Sequence, residues 1–439
     1  MTTRYSAEGK GWGPADRSRA LVIHPVLRLK GEKVRDPDLR LEEAVGLTQA
    51  IDLDVVHAEA VRVDRVNPAT LIGGGVRERM ADLIEAMEVD LVIMDCSLTP
   101  VQQRNLERDW DCKVIDRTGL ILEIFGERAR THEGRLQVEL AAMQYQRSRL
   151  VRSWTHLERQ RGGLGFIGGP GESQLEIDRR LIDERIGKLK RELESVKRTR
   201  ELQRSARKKV PYPVVAFVGY TNAGKSTLFN RLTGSDVFAK DLLFATLDPT
   251  MRAIELPSGR KVILSDTVGF ISELPTDLVA AFRATLEEVI EANVILHVRD
   301  VSTADSEAQR DDVIAVLDSL DIDPDVPVIE ALNKVDLMSD EERERIVNQA
   351  DRDDSLLVLS ALNGWGTDRL LEIVDSLLAK EDELVELVVP FSDGRQVAWL
   401  HQHGHVIERT DEDDGIHFRI RMSVDMLGRH DQLFSKTAD

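Results

Sequence analysis

Hydrophobic and polar positions follow two rhythms along this chain, and the change of rhythm divides it. Over residues 20–117, short apolar runs alternate with stretches of helical period. Ala20-Leu-Val-Ile-His-Pro-Val26, Val55–Val63, Leu91-Val-Ile-Met-Asp95 and Val114-Ile115 read as strands. Leu41–Ile51, Val76–Glu88 and Pro100–Trp110 read as helices. Such alternation predicts a parallel sheet covered by helices, a separate N-terminal α/β domain. Residues 1–19, polar and Gly-rich, read as a flexible N-terminus.

Residues 118–209 keep a different rhythm. Leu136, Leu140, Met143, Leu150, Trp154 and Leu157 fall at alternating four- and three-residue spacing, with Arg147 in one apolar place. Ile182, Ile186, Leu189, Leu193 and Val196 repeat it. These are heptad seams on two long helices, and they predict an antiparallel helical hairpin, a coiled coil. Its tip is the Gly-rich loop 161–172, six glycines in twelve residues. Because the two seams satisfy each other, a monomer is expected.

A third α/β region spans 210–380, and the chemistry concentrates there. Val214–Val218 is an apolar run followed by Gly219-Tyr220-Thr221-Asn222-Ala223-Gly224-Lys225-Ser226-Thr227, then an amphipathic stretch from Leu228 to Leu232. Strand, G-x-x-x-x-G-K-S loop and helix form a phosphate-binding loop. Its glycines let backbone N–H groups turn onto phosphate oxygens. Lys225 is placed to reach the β- and γ-phosphates, and the Ser226 hydroxyl to ligate Mg²⁺. A second apolar run, Val262-Ile-Leu-Ser-Asp266, leads into Thr267-Val268-Gly269. Asp266 suits the Mg²⁺ surroundings and the Gly269 N–H the γ-phosphate. A third run ends in Asn333-Lys334-Val335-Asp336. Asp336 can accept two hydrogen bonds from guanine N1–H and the 2-amino group, Asn333 supports the loop, and the Lys334 stem packs on the ring. Adenine offers no such pair, so the motif argues against an ATPase. Leu356–Leu359 with Ser360-Ala361 supplies a last strand and a turn whose N–H reaches guanine O6. Four motifs at successive strand ends predict a GTP-binding domain.

Composition then narrows the setting. The chain has 439 residues, enough for several domains, and two cysteines, Cys96 and Cys112, too few for a disulfide framework or a metal cluster. No apolar run approaches the length of a membrane span, and Met1-Thr-Thr-Arg-Tyr5 lacks a signal-peptide core, so a cytoplasmic protein without membrane insertion is expected. Net charge is −19, yet residues 179–209 carry thirteen Lys or Arg against five Asp or Glu. A basic arm with a glycine-rich tip suits close approach to RNA. Arg159, Arg161, Gly163, Phe166 and Gly168 are the candidate contacts, Phe166 as a stacking platform. A solvated coiled-coil face or an oligomerisation arm remains the alternative for the charge run. Thr70-Leu-Ile-Gly73-Gly74-Gly75 reads as a turn and helix start rather than a second phosphate site, lacking a Lys. Residues 381–439 open acidic and read as a small α+β domain of short strands or mixed elements at 384–389, 397–400, 406–407 and 416–420, with a turn at Thr410–Gly415. His401, His403 and His405 alternate and form no ligand face.

The run Asp116-Arg-Thr-Gly-Leu-Ile-Leu-Glu-Ile-Phe-Gly and its continuation to Leu140 resemble the HflX family of translational GTPases. So do Pro170-Gly-Glu-Ser-Gln-Leu-Glu-Ile-Asp-Arg-Arg180, Leu243-Phe-Ala-Thr246-Leu-Asp-Pro249 and Asp266-Thr-Val-Gly-Phe270. The resemblance implies a GTPase that binds the large ribosomal subunit and splits or rescues stalled ribosomes under stress, with its arm reaching ribosomal RNA. The expected location is the cytoplasm, with ribosome association or peripheral membrane association. The resemblance further implies that Thr246 binds Mg²⁺ and the γ-phosphate, making Lys225, Thr246 and Gly269 the catalytic set. Phe270 stands where Ras-type GTPases carry a water-orienting Gln, which implies slow intrinsic hydrolysis completed by the ribosome or by K⁺. Asn222 matches the phosphate-loop Asn that coordinates K⁺ in related GTPases. One departure is that Gly168, not Arg, precedes Gly169-Pro170-Gly171-Glu172. Two rival readings are a GTP-dependent switch whose arm contacts protein, and an ATP-driven RNA helicase in the N-terminal domain. The second is weakened by the absence of a further Walker lysine.

Overall fold

A computed structural model describes residues 18–27, 35–160, 174–207, 212–234, 244, 250–272, 286–320, 322–380 and 382–434. The chain forms two compact units. The first holds residues 1–206 with 240–248 and 271–285, and the second holds the remainder.

In the first unit, β1 (Arg19–Leu27), β2 (Asp54–Val63), β3 (Leu91–Met94) and β4 (Lys113–Asp116) make a sheet in the order β2-β1-β3-β4. Every pairing in it is parallel. Helices α1 (Pro37–Gln49), α2 (Gly74–Ala86) and α3 (Pro100–Trp110) connect the strands. The first starts four residues ahead of the apolar pattern, because the Asp36 carboxylate accepts the Asp38 N–H at 2.9 Å and Pro37 presets the first helical turn. A capping box of Thr99 and Gln102 starts α3. Gly73 is the N-cap of α2 and makes no side-chain cap. Leu21, Ile23, Met80, Val92, Leu106 and Val114 are buried in one core. A short helix, α4 (Arg117–Arg128), follows β4 directly and buries Leu120, Ile121, Ile124 and Phe125.

Two long helices come next, α5 (His132–Gln160) of 29 residues and α6 (Gln174–Arg207) of 34. Leu136, Leu140, Ile186 and Leu189 are buried together, flanked by Met143, Ile182, Leu193 and Val196, so the two heptad seams do pack on each other. Arg147, the polar member of the seam, pairs with Asp183 at 2.7 Å, and Arg185 Nε donates to Glu139 at 2.8 Å. As residue numbers rise along α5 they fall along α6, as antiparallel packing requires. The tip loop and the side chains of Leu150, Trp154 and Leu157 lie outside the described residues.

The second unit is built on β5 (Val214–Val218), β6 (Thr250–Glu255), β7 (Lys261–Asp266), β8 (Val294–Asp300), β9 (Val328–Asn333) and β10 (Leu356–Val358). Their order is β10-β9-β8-β5-β7-β6. All neighbours are parallel except β6 on β7. Near-continuous apolar strands bury Val215, Phe217, Leu264, Leu296, Val298, Ile329 and Ala331. Helices α7 (Lys225–Thr233), α8 (Glu287–Ile290), α9 (Ser306–Asp318), α10 (Asp340–Ala350) and α11 (Thr367–Lys380) complete this layer. The C-terminal part of the unit is an antiparallel sheet in the order β11-β13-β12, from β11 (Asp382–Val389), β12 (His405–Glu412) and β13 (Gly415–Ser423). It carries α12 (Gly394–His403) and α13 (Val424–Phe434). The segment around 397–400, read from sequence as a strand or mixed element, is helical: the Asp393 carboxylate caps it by accepting the Gln396 N–H at 2.9 Å. No helix among the described residues is long and apolar enough to cross a membrane.

Candidate nucleotide site

The motifs meet at the carboxyl edge of the six-stranded sheet, where loops following β5, β7, β9 and β10 converge. Such an edge is where open α/β sheets bind ligands. β5 delivers the chain into Gly219, whose φ of 149° and close approach to β8 admit no side chain: a Cβ there would stand 2.2 Å from the Val298 carbonyl oxygen. Tyr220, Thr221 and Ala223 are buried, while Asn222 is exposed and left-handed at φ 60°. Gly224 is the N-cap of α7, at φ 96° and without a side-chain cap. The first N–H groups of α7 therefore face the loop with the positive end of the helix dipole, an arrangement suited to an anion.

Lys225 is buried, and its Nζ donates to the carbonyls of Gly219 at 3.0 Å and Tyr220 at 2.8 Å. Burial pulls its ammonium down to about 8, with the Asp266 carboxylate opposing. Ser226 Oγ donates to Asp266 Oδ2 at 2.7 Å, so the hydroxyl and the fully buried carboxylate stand side by side. Thr227 follows on the first turn of α7. Thr267 Oγ1 is buried and donates to the Phe217 carbonyl at 2.5 Å, which holds the start of the Thr267-Val268-Gly269 loop against β5.

At the next strand end, Asn333 closes β9 and is buried; its Nδ2 donates to the Ala223 carbonyl at 2.7 Å and its Oδ1 accepts the Ala361 N–H at 2.9 Å. Ser360 Oγ donates to Asp336 Oδ1 at 2.5 Å and orients that carboxylate. Lys334 is left-handed at φ 67°, and its Nζ sits 2.8 Å from Asp300. Asp300 and Arg231, whose guanidinium donates to the Ala361 carbonyl at 2.6 Å, escape a motif reading. An acidic residue closing β8 beside the N-K-x-D strand is the one signal that points to Asp300. Thr246, Arg161, Gly163, Phe166 and Gly168 lie outside the described residues, as does the side chain of Arg159.

A G-x-x-x-x-G-K-S loop at a helix start, a hydroxyl paired with a buried carboxylate and an N-K-x-D loop fastened beside them are the marks of a P-loop GTPase. Four family models cover nearly the whole chain: GTP-binding GTPase N-terminal over residues 38–126, GTP-binding GTPase middle region over 128–207, 50S ribosome-binding GTPase over 214–334 and HflX C-terminal domain over 345–431. GTPase HflX of Magnetococcus marinus is 48% identical over 94% of this chain and 94% of its own length. GTPase HflX of Escherichia coli is 42% identical over 89% and 91%. A GTP-binding protein from Sulfolobus solfataricus in complex with GDP has a similar solved structure, at 23% identity, TM-score 0.45, covering 83% of this chain and 99% of that one. The chain belongs to the HflX family and is a GTP-hydrolysing enzyme.

Proposed function

We propose that this GTPase acts on the large ribosomal subunit and drives apart stalled ribosomes, with GTP setting when its helical arm engages ribosomal RNA. The supporting observation is the union in one chain of a 50S ribosome-binding GTPase match over 214–334 with a basic arm. Arg179, Arg180, Lys188 and Arg198 on α6 are all more than half exposed. Cations spread along a helix attract a phosphate backbone.

In this reading Lys225 carries the β- and γ-phosphates, the N–H of Gly269 meets the γ-phosphate, and Thr246 closes over it. Asp336 reads guanine, with Asn333, Lys334, Ser360 and Ala361 holding its loop. Ser226 and Asp266 fit a Mg²⁺ site: hard oxygen donors lie in hydrogen-bond contact, and one of them is a fully buried carboxylate. Ser226 and Asp266 would hold the ion, which would supply charge neutralisation to the bound phosphates. Phe270 is buried and apolar and cannot orient a water, so hydrolysis waits on an outside contribution. The ribosome supplies it, or K⁺ held by Asn222, which lies exposed in the phosphate loop.

Co-sedimentation with purified large subunits tests the reading. Binding with a non-hydrolysable GTP analogue and weak binding with GDP is expected; equal absence of binding with both nucleotides contradicts it and leaves a switch whose arm contacts protein.

A further inference from the structure

We propose that Arg117 and Ser272 are positioning residues for the γ-phosphate element, and that the neighbours Asp116 and Arg117 relay its movement into the helical arm. The inference rests on the guanine-nucleotide site alone and holds whether or not the ribosome is the target.

The first observation is a crowded γ-phosphate position. The Thr221 N–H donates to the Phe270 carbonyl at 2.7 Å, and the Phe270 N–H donates to the Gly219 carbonyl at 3.1 Å. Tyr220 and Phe270 thus form a parallel bridge that fastens the Asp266–Gly269 loop onto the phosphate loop. A Cβ on Gly269 would stand 3.1 Å from Lys225 Nζ and 2.9 Å from Thr221 Cγ2. Lys225 Nζ lies beside Gly269 and is engaged with the Gly219 and Tyr220 carbonyls, so a phosphoryl group bound by both Lys225 and the Gly269 N–H has to displace these contacts. In this proposal GTP opens the bridge, whereas GDP, ending at its β-phosphate, leaves it closed.

The second observation is what holds the chain just past the bridge. Ser272 is buried at 2% exposure. Its hydroxyl accepts hydrogen bonds from Arg40 and, at 3.1 Å, from Arg117; its carbonyl accepts from Arg117 at 3.3 Å. Arg117 is itself buried and paired with Asp95 and Glu43, and Asp95 also meets His24 Nδ1 at 2.8 Å. Two guanidiniums on one serine fix that residue, and only Ile271 separates it from Phe270. Because Arg117 keeps its carboxylate partners when Ser272 leaves, and Arg40 stays in the field of Asp95, release leaves the Arg117 charge paired. The clamp therefore has two permissible states.

The third observation is the next residue along. Asp116 accepts the Gly119 N–H at 2.9 Å, the Tyr145 hydroxyl at 2.6 Å and Arg149 at 2.9 Å. Tyr145 and Arg149 lie one turn apart on α5, the first helix of the arm. One peptide bond thus joins the residue that grips Ser272 to the residue that anchors the arm.

Ser272→Ala in the full chain tests the clamp, since it leaves Arg117 paired with Asp95 and Glu43. With one charge-assisted hydrogen-bond set gone, a fluorescent non-hydrolysable GTP analogue should bind roughly tenfold tighter while fluorescent GDP changes less than about twofold. An unchanged analogue affinity, or equal shifts for both nucleotides, overturns the positioning role. Hydrogen exchange along α5 tests the relay. In the unmodified chain, amides around Tyr145 should exchange faster with the analogue than with GDP. In Tyr145→Phe that nucleotide difference should shrink with both nucleotide affinities intact. Exchange independent of nucleotide in the unmodified chain overturns the relay.

Discussion

Asn333 binds two loops with one amide: its Nδ2 donates to the Ala223 carbonyl at 2.7 Å and its Oδ1 accepts the Ala361 N–H at 2.9 Å. The loop that would hold phosphates and the loop beside the base are thereby fixed to each other through a side chain only 1% exposed. Gly224 completes the arrangement, because a Cβ there would stand 2.2 Å from that same Nδ2.

Removing this amide should therefore damage both ends of the nucleotide together. In Asn333→Ala a buried carbonyl and a buried N–H lose their partners, at about 1–3 kcal/mol each. GTP and GDP affinity should fall in parallel by at least about a hundredfold, read by titration calorimetry, alongside a lower urea midpoint. A loss confined to GTP would place Asn333 at the γ-phosphate instead.

Asp300 should matter to affinity but not to chemistry. Its carboxylate holds Lys334 at 2.8 Å, and Lys334 is in the left-handed region at φ 67°. With Asp300→Asn the Lys334 stem loses its charged tether, and both nucleotides should bind about tenfold more weakly. The single-turnover hydrolysis rate at saturating GTP should stay within about twofold, as the change lies on the base side. A fall in that rate would contradict the assignment.

Nucleotide binding should weaken at alkaline pH. Burial lowers Lys225 to about 8 in the free protein. Phosphates around the ammonium raise that value in the complex, so binding above pH 8 must take up a proton. Affinity should be flat below about pH 7.5 and then fall by up to about tenfold per pH unit. Lys225→Arg, which stays charged, should bind more weakly but without this slope.

Mild acid should destabilise the second unit through His297. Burial, the largest influence, pushes this side chain down to about 4, with Glu330 pulling the other way. The unfolded chain takes up its proton near pH 6.5, the folded chain only near 4. Stability is therefore full above 6.5 and declines as pH falls through that window, by up to about 3 kcal/mol. Asp95, burdened by burial but held at about 2 by Arg117, His24 and Arg40, loses its contribution only at lower pH. Urea midpoints at pH 7 and pH 5 should differ less in His297→Gln; an identical drop in both proteins would remove His297 as the cause.

Much of this architecture was legible because burial writes itself locally. The central strands β1 and β3 are apolar on both faces and stand out as runs, β2 shows as a period-two alternation over Val55–Val63, and the seam from Leu136 to Leu140 and Ile182 to Val196 survives as a heptad pattern. The Val397–Leu400 segment was harder, since apolar positions at 397, 399 and 400 suit either period and the Asp393 cap decides for a helix. The phosphate, Asp266 and Asn333 motifs were legible because each is a short run at a strand end. Ser272 was not: its partners Arg117 and Arg40 lie 155 and 232 positions away, and contacts at that separation leave no trace in either neighbourhood. Asp300 was hidden in the same way, as an ordinary acid until β9 brings Lys334 beside it.

The most direct test of the proposed function is density-gradient sedimentation of purified, assembled ribosomes after incubation with the full chain. With a non-hydrolysable GTP analogue, the assembled peak should convert to free subunits; with GDP it should persist. Deleting residues 162–171 should abolish conversion while leaving nucleotide affinity unchanged. Assembled ribosomes that stay intact when the analogue is demonstrably bound would contradict the account.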